Sequence, residues 1–249
     1  MEKSLDDRLA LTMDENATSA EFQELAQDTD KSVQEAVADN QSTPPDGLWK
    51  LASFRLMVAE NPSARPATLL KLAKDGELYV RGAVARNPAS PHDLLSALAK
   101  DEVVFVRCGV AGNEQTPPKV LEVLAKDDDK LVRETVAGNT ATPPALLWAL
   151  AKDKEKNVRG AVGYNLSSPY DLLSFLSKDE SWSVRHAVAE NSKVPAELLQ
   201  ELSNDGNEFV REAVALTKLD RERATVPSAL FTLWNPSWNP PKKTKRPKV

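Results

Sequence analysis

Few residues in this sequence have the side chains that catalysis or metal binding requires. The 249 residues include one cysteine, Cys108, and two histidines, His92 and His186. A thiolate and an imidazole can act together as nucleophile and base, but Cys108 and His186 occupy equivalent places in repeat units that lie three apart. The histidines are also too few for a histidine-rich zinc site. The sequence therefore predicts no catalytic residue, no metal ligand and no cofactor.

A regular series of arginines is the next candidate for chemistry, because a basic stripe can bind phosphate. Each of these arginines follows a valine and comes six residues after an aspartate that recurs with the same regularity. Guanidinium and carboxylate groups match in geometry, so we favour structural ion pairs or caps between repeat units over a phosphate site. The arginines are Arg81, Arg107, Arg133, Arg159, Arg185 and Arg211, and the aspartates are Asp75, Asp101, Asp127, Asp153, Asp179 and Asp205.

The same 26-residue period governs the apolar residues. Valine recurs from Val84 to Val214, leucine recurs from Leu69 to Leu199, and asparagine recurs from Asn61 to Asn191. Strict repeats span residues 61–216, and a degenerate form of the pattern spans residues 14–60. The total is about eight units, which predicts one elongated domain over residues 1–216.

Each unit predicts two short helices. In the unit that begins at Ser90, this serine is a candidate N-cap and Pro91 suits the first helical position. Apolar residues with helical spacing follow in 94–98 and again in 106–110. A single unit buries too few side chains to offset the entropy of ordering its backbone. Neighbouring units must therefore share their apolar faces, which predicts an all-α solenoid.

Two segments of the chain resemble the leucine-rich repeat variant family. They are Val184–Asn191 followed by Pro195–Leu202, and Val80–Pro88 followed by Pro91–Asp101. The resemblance covers about four-fifths of the chain and implies a right-handed superhelix, in which short α-helices alternate with α- or 3₁₀-helices. Some members hold an iron–sulfur centre with an N-terminal cysteine cluster, but residues 1–60 contain no cysteine. The family has no shared enzymatic activity, so the resemblance implies no reaction.

Function in repeat proteins usually depends on the positions that vary between repeats. Two tryptophans occupy one such position, which we expect to be exposed on the first helix of a unit. Another variable position carries small residues in several units, which predicts a shallow groove in the second helices. Exposed aromatic residues are frequent anchors for protein partners, although they also pack locally. The candidates for partner binding are Trp49, Trp148, Tyr164, Trp182 and His186.

The repeat pattern fails after Val214. Residues 217–235 predict a C-terminal cap, and residues 236–249 predict a flexible, proline-rich basic tail. Three interpretations of the tail stay open: an end without a partner, a contact with nucleic acid or anionic lipid, or docking on the acidic N-terminal end of the same or another copy. Its basic residues are Lys242, Lys243, Lys245, Arg246 and Lys248.

Composition narrows the class of function. The formal net charge is −5, no apolar run is long enough to cross a membrane, and the N-terminus lacks a secretory pattern, so we expect a soluble cytoplasmic protein. The main hypothesis is a non-enzymatic scaffold that presents a curved surface to a protein partner, without a small-molecule substrate. The alternative is a nucleic-acid-binding helical-repeat protein that uses the basic tail. All 37 acidic residues precede the tail, which disfavours that alternative.

Overall fold

The computed structural model describes residues 3–14, 17–26, 28–30, 32–33, 36–37 and 52–225 of the chain. These residues form fifteen α-helices, with no strand and no 3₁₀-helix among them. None of these helices combines the length and apolar character needed to cross a membrane. The helices are α1 Leu5–Leu11, α2 Ser19–Ala26, α3 Ala52–Glu60, α4 Pro66–Leu72, α5 Leu78–Arg86, α6 His92–Leu98, α7 Val104–Gly112, α8 Pro118–Leu124, α9 Lys130–Gly138, α10 Pro144–Leu150, α11 Lys156–Tyr164, α12 Tyr170–Leu176, α13 Trp182–Glu190, α14 Ala196–Leu202 and α15 Glu208–Thr225.

Helices of seven and nine residues alternate from α4 to α14. Successive nine-residue helices pack closely on one another, whereas successive seven-residue helices make few contacts with each other. A stack of this kind curves toward the more closely spaced set. We therefore call α3 and the nine-residue helices, together with α15, the inner helices, and the seven-residue helices the outer helices. The predicted all-α repeat solenoid is confirmed, and in the described repeats the alternation is α with α.

The repeated apolar positions form one continuous core. Leu121 and Leu124 of outer helix α8 are almost completely buried, as are Val132 and Val136 of inner helix α9. The equivalent residues in the neighbouring repeats are buried in the same way. Each such side chain contributes roughly 1.5–3 kcal/mol when it is removed from water. Because each repeat packs its apolar side chains against those of its neighbours, the core extends along the stack.

The predicted N-caps of the outer helices are wrong. The hydroxyl of Ser90 donates a hydrogen bond to the carbonyl oxygen of Val84 at 2.6 Å, and Pro91 holds the N-cap position with an extended backbone. Ser90 is buried, so its hydroxyl satisfies a carbonyl at the end of the preceding inner helix rather than an N–H group of the next helix. The same bond recurs in the following three repeats, from Thr116 to Val110, Thr142 to Val136 and Ser168 to Val162.

The repeated asparagines connect neighbouring repeats. The side-chain amide of Asn139 donates to the carbonyl oxygens of Ala111 at 2.7 Å and Asn113 at 3.1 Å, both in the preceding repeat. Its Oδ1 accepts a hydrogen bond from the N–H of Ala141. Asn87, Asn113, Asn165 and Asn191 make the equivalent bonds. Each asparagine thus caps the C-terminal end of the inner helix in the preceding repeat, and it also caps the turn that follows the asparagine itself. We call this series the asparagine ladder.

The C-terminal end departs from the repeat. Inner helix α15 has 18 residues, so it continues through the place where the other inner helices end. Thr217 stands in the asparagine position, and its hydroxyl donates one bond, to the carbonyl oxygen of Ala189 at 2.8 Å. The first part of the predicted cap, residues 217–225, is therefore a continuation of α15. Residues 226–235 of that cap lie outside the described residues.

Candidate functional site

The repeated arginines and aspartates form a second ladder, which we call the arginine–aspartate ladder. Nε and Nη2 of Arg133 donate to the two carboxylate oxygens of Asp153 at 2.7 and 3.1 Å. Its Nη1 donates to the backbone carbonyl oxygens of Asp127 and Asp128. Arg133 therefore pairs with the carboxylate of the aspartate that lies twenty residues later, in the next repeat. The aspartate six residues before Arg133 contributes only a backbone carbonyl oxygen to this arginine. Arg81, Arg107, Arg159 and Arg185 pair in the same way with Asp101, Asp127, Asp179 and Asp205.

Burial and pairing shift the pKa values along this ladder. Burial alone would raise the pKa of the Asp153 carboxyl, but hydrogen bonds from Arg133 and from the N–H of Glu155 outweigh it, so that the pKa lies below its ordinary value. The hydrogen bond with Asp153 raises the pKa of the Arg133 guanidinium, although burial opposes this. Both groups are thus charged and paired with each other, which leaves little of the guanidinium for an external phosphate.

A groove lies on the inner helices at the variable positions. Its first lobe, of about 580 Å³, is lined by Cys108, Leu131, Gly138 and Leu166 and ends at Tyr164. Its second lobe, of about 440 Å³, continues from Tyr164 to Phe209. Glu134, Gly160, Trp182 and His186 also line the second lobe. We call the two lobes together the inner groove.

Small residues create the floor of the inner groove. Gly160 lies in the middle of inner helix α11, and a Cβ atom added to it would meet nothing within 4 Å. Gly138 has the same open surroundings. Because Val158 and Val162 point into the core on the opposite side of α11, residue 160 must point away from the core. The groove is therefore a direct result of glycine at a position that carries glutamate or histidine in neighbouring repeats.

Aromatic side chains line the second lobe. Tyr164 is 48% exposed, Trp182 45% and Phe209 49%. The rings of Trp182 and Phe209 lie 5.4 Å apart with an angle of 34° between their planes, and the rings of Trp182 and His186 lie 6.3 Å apart with an angle of 85° between their planes. Half-exposed rings that hold one another in place offer apolar surface to a ligand without first having to be ordered.

Polar contacts link Tyr164 to the same cluster. The hydroxyl of Tyr164 lies 3.4 Å from Nδ1 of His186, which in turn lies 4.0 Å from a carboxylate oxygen of Glu190. These three residues come from two successive inner helices, α11 and α13. The arrangement places a hydrogen-bonding edge beside the aromatic surface.

The structure thus brings together three of the five candidates for partner binding: Tyr164, Trp182 and His186. Trp148 lies elsewhere, on outer helix α10, where it is half-buried and contacts Phe175 with a ring distance of 5.7 Å. The expectation that Trp148 faces solvent is therefore only partly met, because the next outer helix covers one side of it. Trp49 and the basic tail lie outside the described residues.

Some residues of the inner surface escaped the sequence analysis. Phe209, Leu131 and Phe105 share one repeat position with Tyr79, and all four are exposed. The guanidinium of Arg86 lies 4.7 Å above the ring of Phe105. A signal for these residues was present, because each directly precedes a buried valine of the Val-Arg pair and must therefore point away from the core. This signal is weak, because the residue at this position varies between repeats and is polar in two of them.

Comparisons with known proteins agree with this geometry. One solved structure, described as a leucine-rich repeat variant with a novel repetitive protein structural motif, is 26% identical in sequence. The match covers 80% of this chain and 81% of that chain, with a TM-score of 0.51. The chain has a leucine-rich repeat variant fold. No family model and no curated protein sequence matches the chain.

The leucine-rich repeat variant fold accounts for the division between constant and variable positions. The constant residues build the core and the two ladders, which any stack of such repeats requires. The inner groove uses positions that the fold leaves free to vary. The fold thus provides a repeat scaffold, and Tyr164 and Trp182 lie at positions that vary between its repeats.

Proposed function

We propose that this protein is a non-enzymatic scaffold whose inner groove binds a protein partner. The observation that supports this most directly is the cluster of half-exposed aromatic residues around Trp182 in the second lobe. Exposed tryptophan, tyrosine and phenylalanine side chains in a concave site are typical of residues that contribute most of the binding energy at protein interfaces.

The rigidity of the surroundings favours binding. Each inner helix is held on both sides by the asparagine and arginine–aspartate ladders, so the groove has little conformational entropy to lose when a partner binds. The groove is also open along its length, as a site for a polypeptide must be. A partner that inserts apolar side chains beside Trp182 and Phe209 would remove their exposed surface from water.

Affinity capture with matched variants tests this function. The full-length chain, the double variant Trp182→Ala/Phe209→Ala and the outer-helix variant Val123→Ala are each used to capture proteins from extracts of the native host, and quantitative mass spectrometry identifies what is bound. Val123 is 59% exposed on α8, far from the groove, so its variant is a control for a surface change of the same kind. We expect at least one partner to be retained by the wild type and by Val123→Ala but reduced tenfold or more by the double variant.

Thermal unfolding separates binding from folding in this experiment. The three exposed positions carry little of the core, so all variants are expected to unfold within a few degrees of the wild type. Equal capture of every partner by the double variant and the wild type would contradict the proposal. Loss of the same partners in Val123→Ala would also contradict it, because that result assigns binding to a general surface property.

A further inference from the structure

We propose that the proline-rich basic segment 236–249 docks in the second lobe of the inner groove of the same chain, where it competes with the partner. This inference deepens the proposed function, because it concerns regulation of the same site. The segment reads Pro-Ser-Trp-Asn-Pro-Pro-Lys-Lys-Thr-Lys-Arg-Pro-Lys-Val. Four properties of the molecule match it: the aromatic lining of the groove, the spacing of the repeats, the charge of the groove and its distance from the end of α15.

The aromatic lining suits a proline-rich ligand. Such sequences favour the polyproline II conformation, which has no internal hydrogen bonds and is recognised by grooves lined with aromatic rings. Trp182, Phe209 and Tyr164 supply these rings. The glycine floor at residue 160 lets a peptide backbone approach closely, because no side chain stands between the rings at that point.

The spacing of the repeats also matches a polyproline II ligand. Such a helix repeats every three residues and rises about 9 Å in that interval. Neighbouring packed helices are separated by about 8–10 Å. A ligand laid across the inner helices therefore presents every third side chain to a new repeat. Trp238 and Pro241 are three residues apart, so they would contact successive repeats, on either side of Trp182.

The charges of the groove and the segment are complementary. Glu134 lines the second lobe, and Glu190 lies beside His186. Glu212 is exposed one repeat beyond His186, at the equivalent position. Lys156 is the basic residue that lines the same lobe. The lining itself carries one carboxylate and one ammonium group, and Glu190 and Glu212 lie outside it, whereas the segment carries five basic residues and no acidic residue.

The length of the chain allows docking within one molecule. Helix α15 begins in the groove, since Phe209 is its second residue, and it reaches Thr225 after roughly 24 Å. The 13 residues from Thr225 to Trp238 span up to about 40 Å at the polyproline II rise. That length suffices to return along α15 to Phe209 and to cross one further helix to Trp182, so the docking requires residues 226–235 to be extended rather than packed as the predicted cap. Local attachment raises the effective concentration of the segment, which favours the same groove over that of another copy.

Photo-crosslinking of the full-length chain tests this docking. The photoreactive residue p-benzoylphenylalanine replaces Asn239, next to Trp238, and mass spectrometry maps its crosslinks after irradiation. We expect crosslinks within a single chain to peptides from residues 156–209. The yield should fall at least fivefold in Trp182→Ala/Phe209→Ala and should stay unchanged in Val123→Ala. Absence of crosslinks to the inner helices, or crosslinks only between two chains, would overturn the proposal.

A second variant pair distinguishes this proposal from the proposed function. In the full-length chain, Trp238→Ala/Pro241→Ala should release the groove and increase capture of its partners at least threefold. If the crosslinks are absent while Trp182→Ala/Phe209→Ala still loses partners, the tail proposal is wrong and the proposed function stands. If the crosslinks form but capture is the same for all groove variants, the groove binds the tail alone and the proposed function is wrong.

Discussion

The two sides of inner helix α11 differ in what determines their residues. On one side, Val158 and Val162 are fully buried and Arg159 joins the arginine–aspartate ladder, and the equivalent residues are the same in all six strict repeats. On the other side, Gly160 and Tyr164 line the inner groove and differ from their equivalents in the adjacent repeats. One nine-residue helix thus carries the fold on one side and the candidate binding surface on the other. This division predicts that changes on the first side affect stability, whereas changes on the second mainly affect binding.

The largest effect should come from acid, which acts on the whole arginine–aspartate ladder at once. The pKa values of its aspartates lie below their ordinary values in the folded chain, so their contribution to stability is complete above the unfolded-state pKa of about 3.9. As the pH falls below that value, the unfolded chain binds protons first and the free energy of unfolding decreases. Urea titrations between pH 7 and pH 2.5 would measure this. Asp153→Asn should show a shallower decrease, and an identical slope would contradict the assignment.

Leu124→Ala on outer helix α8 tests the expectation that changes at buried repeat positions affect stability. Leu124 is 1% exposed, so the loss of its side chain leaves a cavity and should reduce the free energy of unfolding by about 2–4 kcal/mol. Its exposed neighbour in the sequence, Val123, provides the matched control, and Val123→Ala should change the same quantity by less than about 0.5 kcal/mol. Similar values for both variants in denaturant titrations would mean that the repeats do not share a packed core.

Removal of one ladder arginine should have the next largest effect. Arg133→Ala leaves Asp153 with little exposure and without its guanidinium partner, which should cost about 2–3 kcal/mol in free energy of unfolding. The double variant Arg133→Met/Asp153→Leu removes both charges and should cost clearly less than the sum of the two single changes. A neutral result for Arg133→Ala would instead favour a binding role for the arginines.

Two substitutions of Asn139 should reduce the free energy of unfolding to different extents. Asn139→Ala removes donors to two carbonyl oxygens of the preceding repeat and should cost about 1–2 kcal/mol. Asn139→Thr should cost less, because Thr217 shows that a hydroxyl at this position can still donate to one of these carbonyls. Equal losses in the two variants, measured by denaturant titration, would show that the position acts through something other than these bonds.

The smallest change in the free energy of unfolding is expected for a substitution in the groove, and this change should be an increase rather than a decrease. Gly160→Ala introduces a methyl group into open space within a helix, so it should increase the free energy of unfolding by about 0.4–1 kcal/mol. Gly109→Ala is the matched change on the packed side, where the new Cβ would lie 2.8 Å from the Cβ of Ala85. That variant should be destabilised. A loss of stability in Gly160→Ala would place residue 160 against the core and contradict the comparison.

The sequence predicted the repeat, the helix pairs and the buried positions, because each of these leaves a residue type at a fixed interval. It did not predict the direction of the Ser90 hydroxyl, since the same residue can cap the following helix or satisfy the end of the preceding one. Burial decides between these possibilities, and burial depends on contacts that the spacing alone does not show. For the same reason, the spacing did not show that the partner of Arg133 is Asp153 rather than Asp127.

The degenerate N-terminal region shows the same limit. Arg8 pairs with Asp28 at 3.1 Å, and Arg55 pairs with Asp75, so the interval of twenty residues extends beyond the strict repeats. The Val-Arg pattern does not reveal Arg8, because an aspartate rather than a valine precedes it. In the candidate site, small residues and Tyr164 predicted the groove, but the contribution of Phe209 required knowledge of how successive inner helices are placed side by side.

The bonds of the two ladders connect neighbouring repeats in the same way along the stack. The ladder bonds that connect neighbouring repeats recur at intervals of 20, 26 and 28 positions, for example Arg159 with Asp179 and Asn165 with Asn139 and Ala137. Inserting or deleting one complete unit of 26 residues therefore restores the same links on both sides of the junction. A chain with one unit more or fewer would keep both ladders intact, with one inner helix more or fewer along the stack.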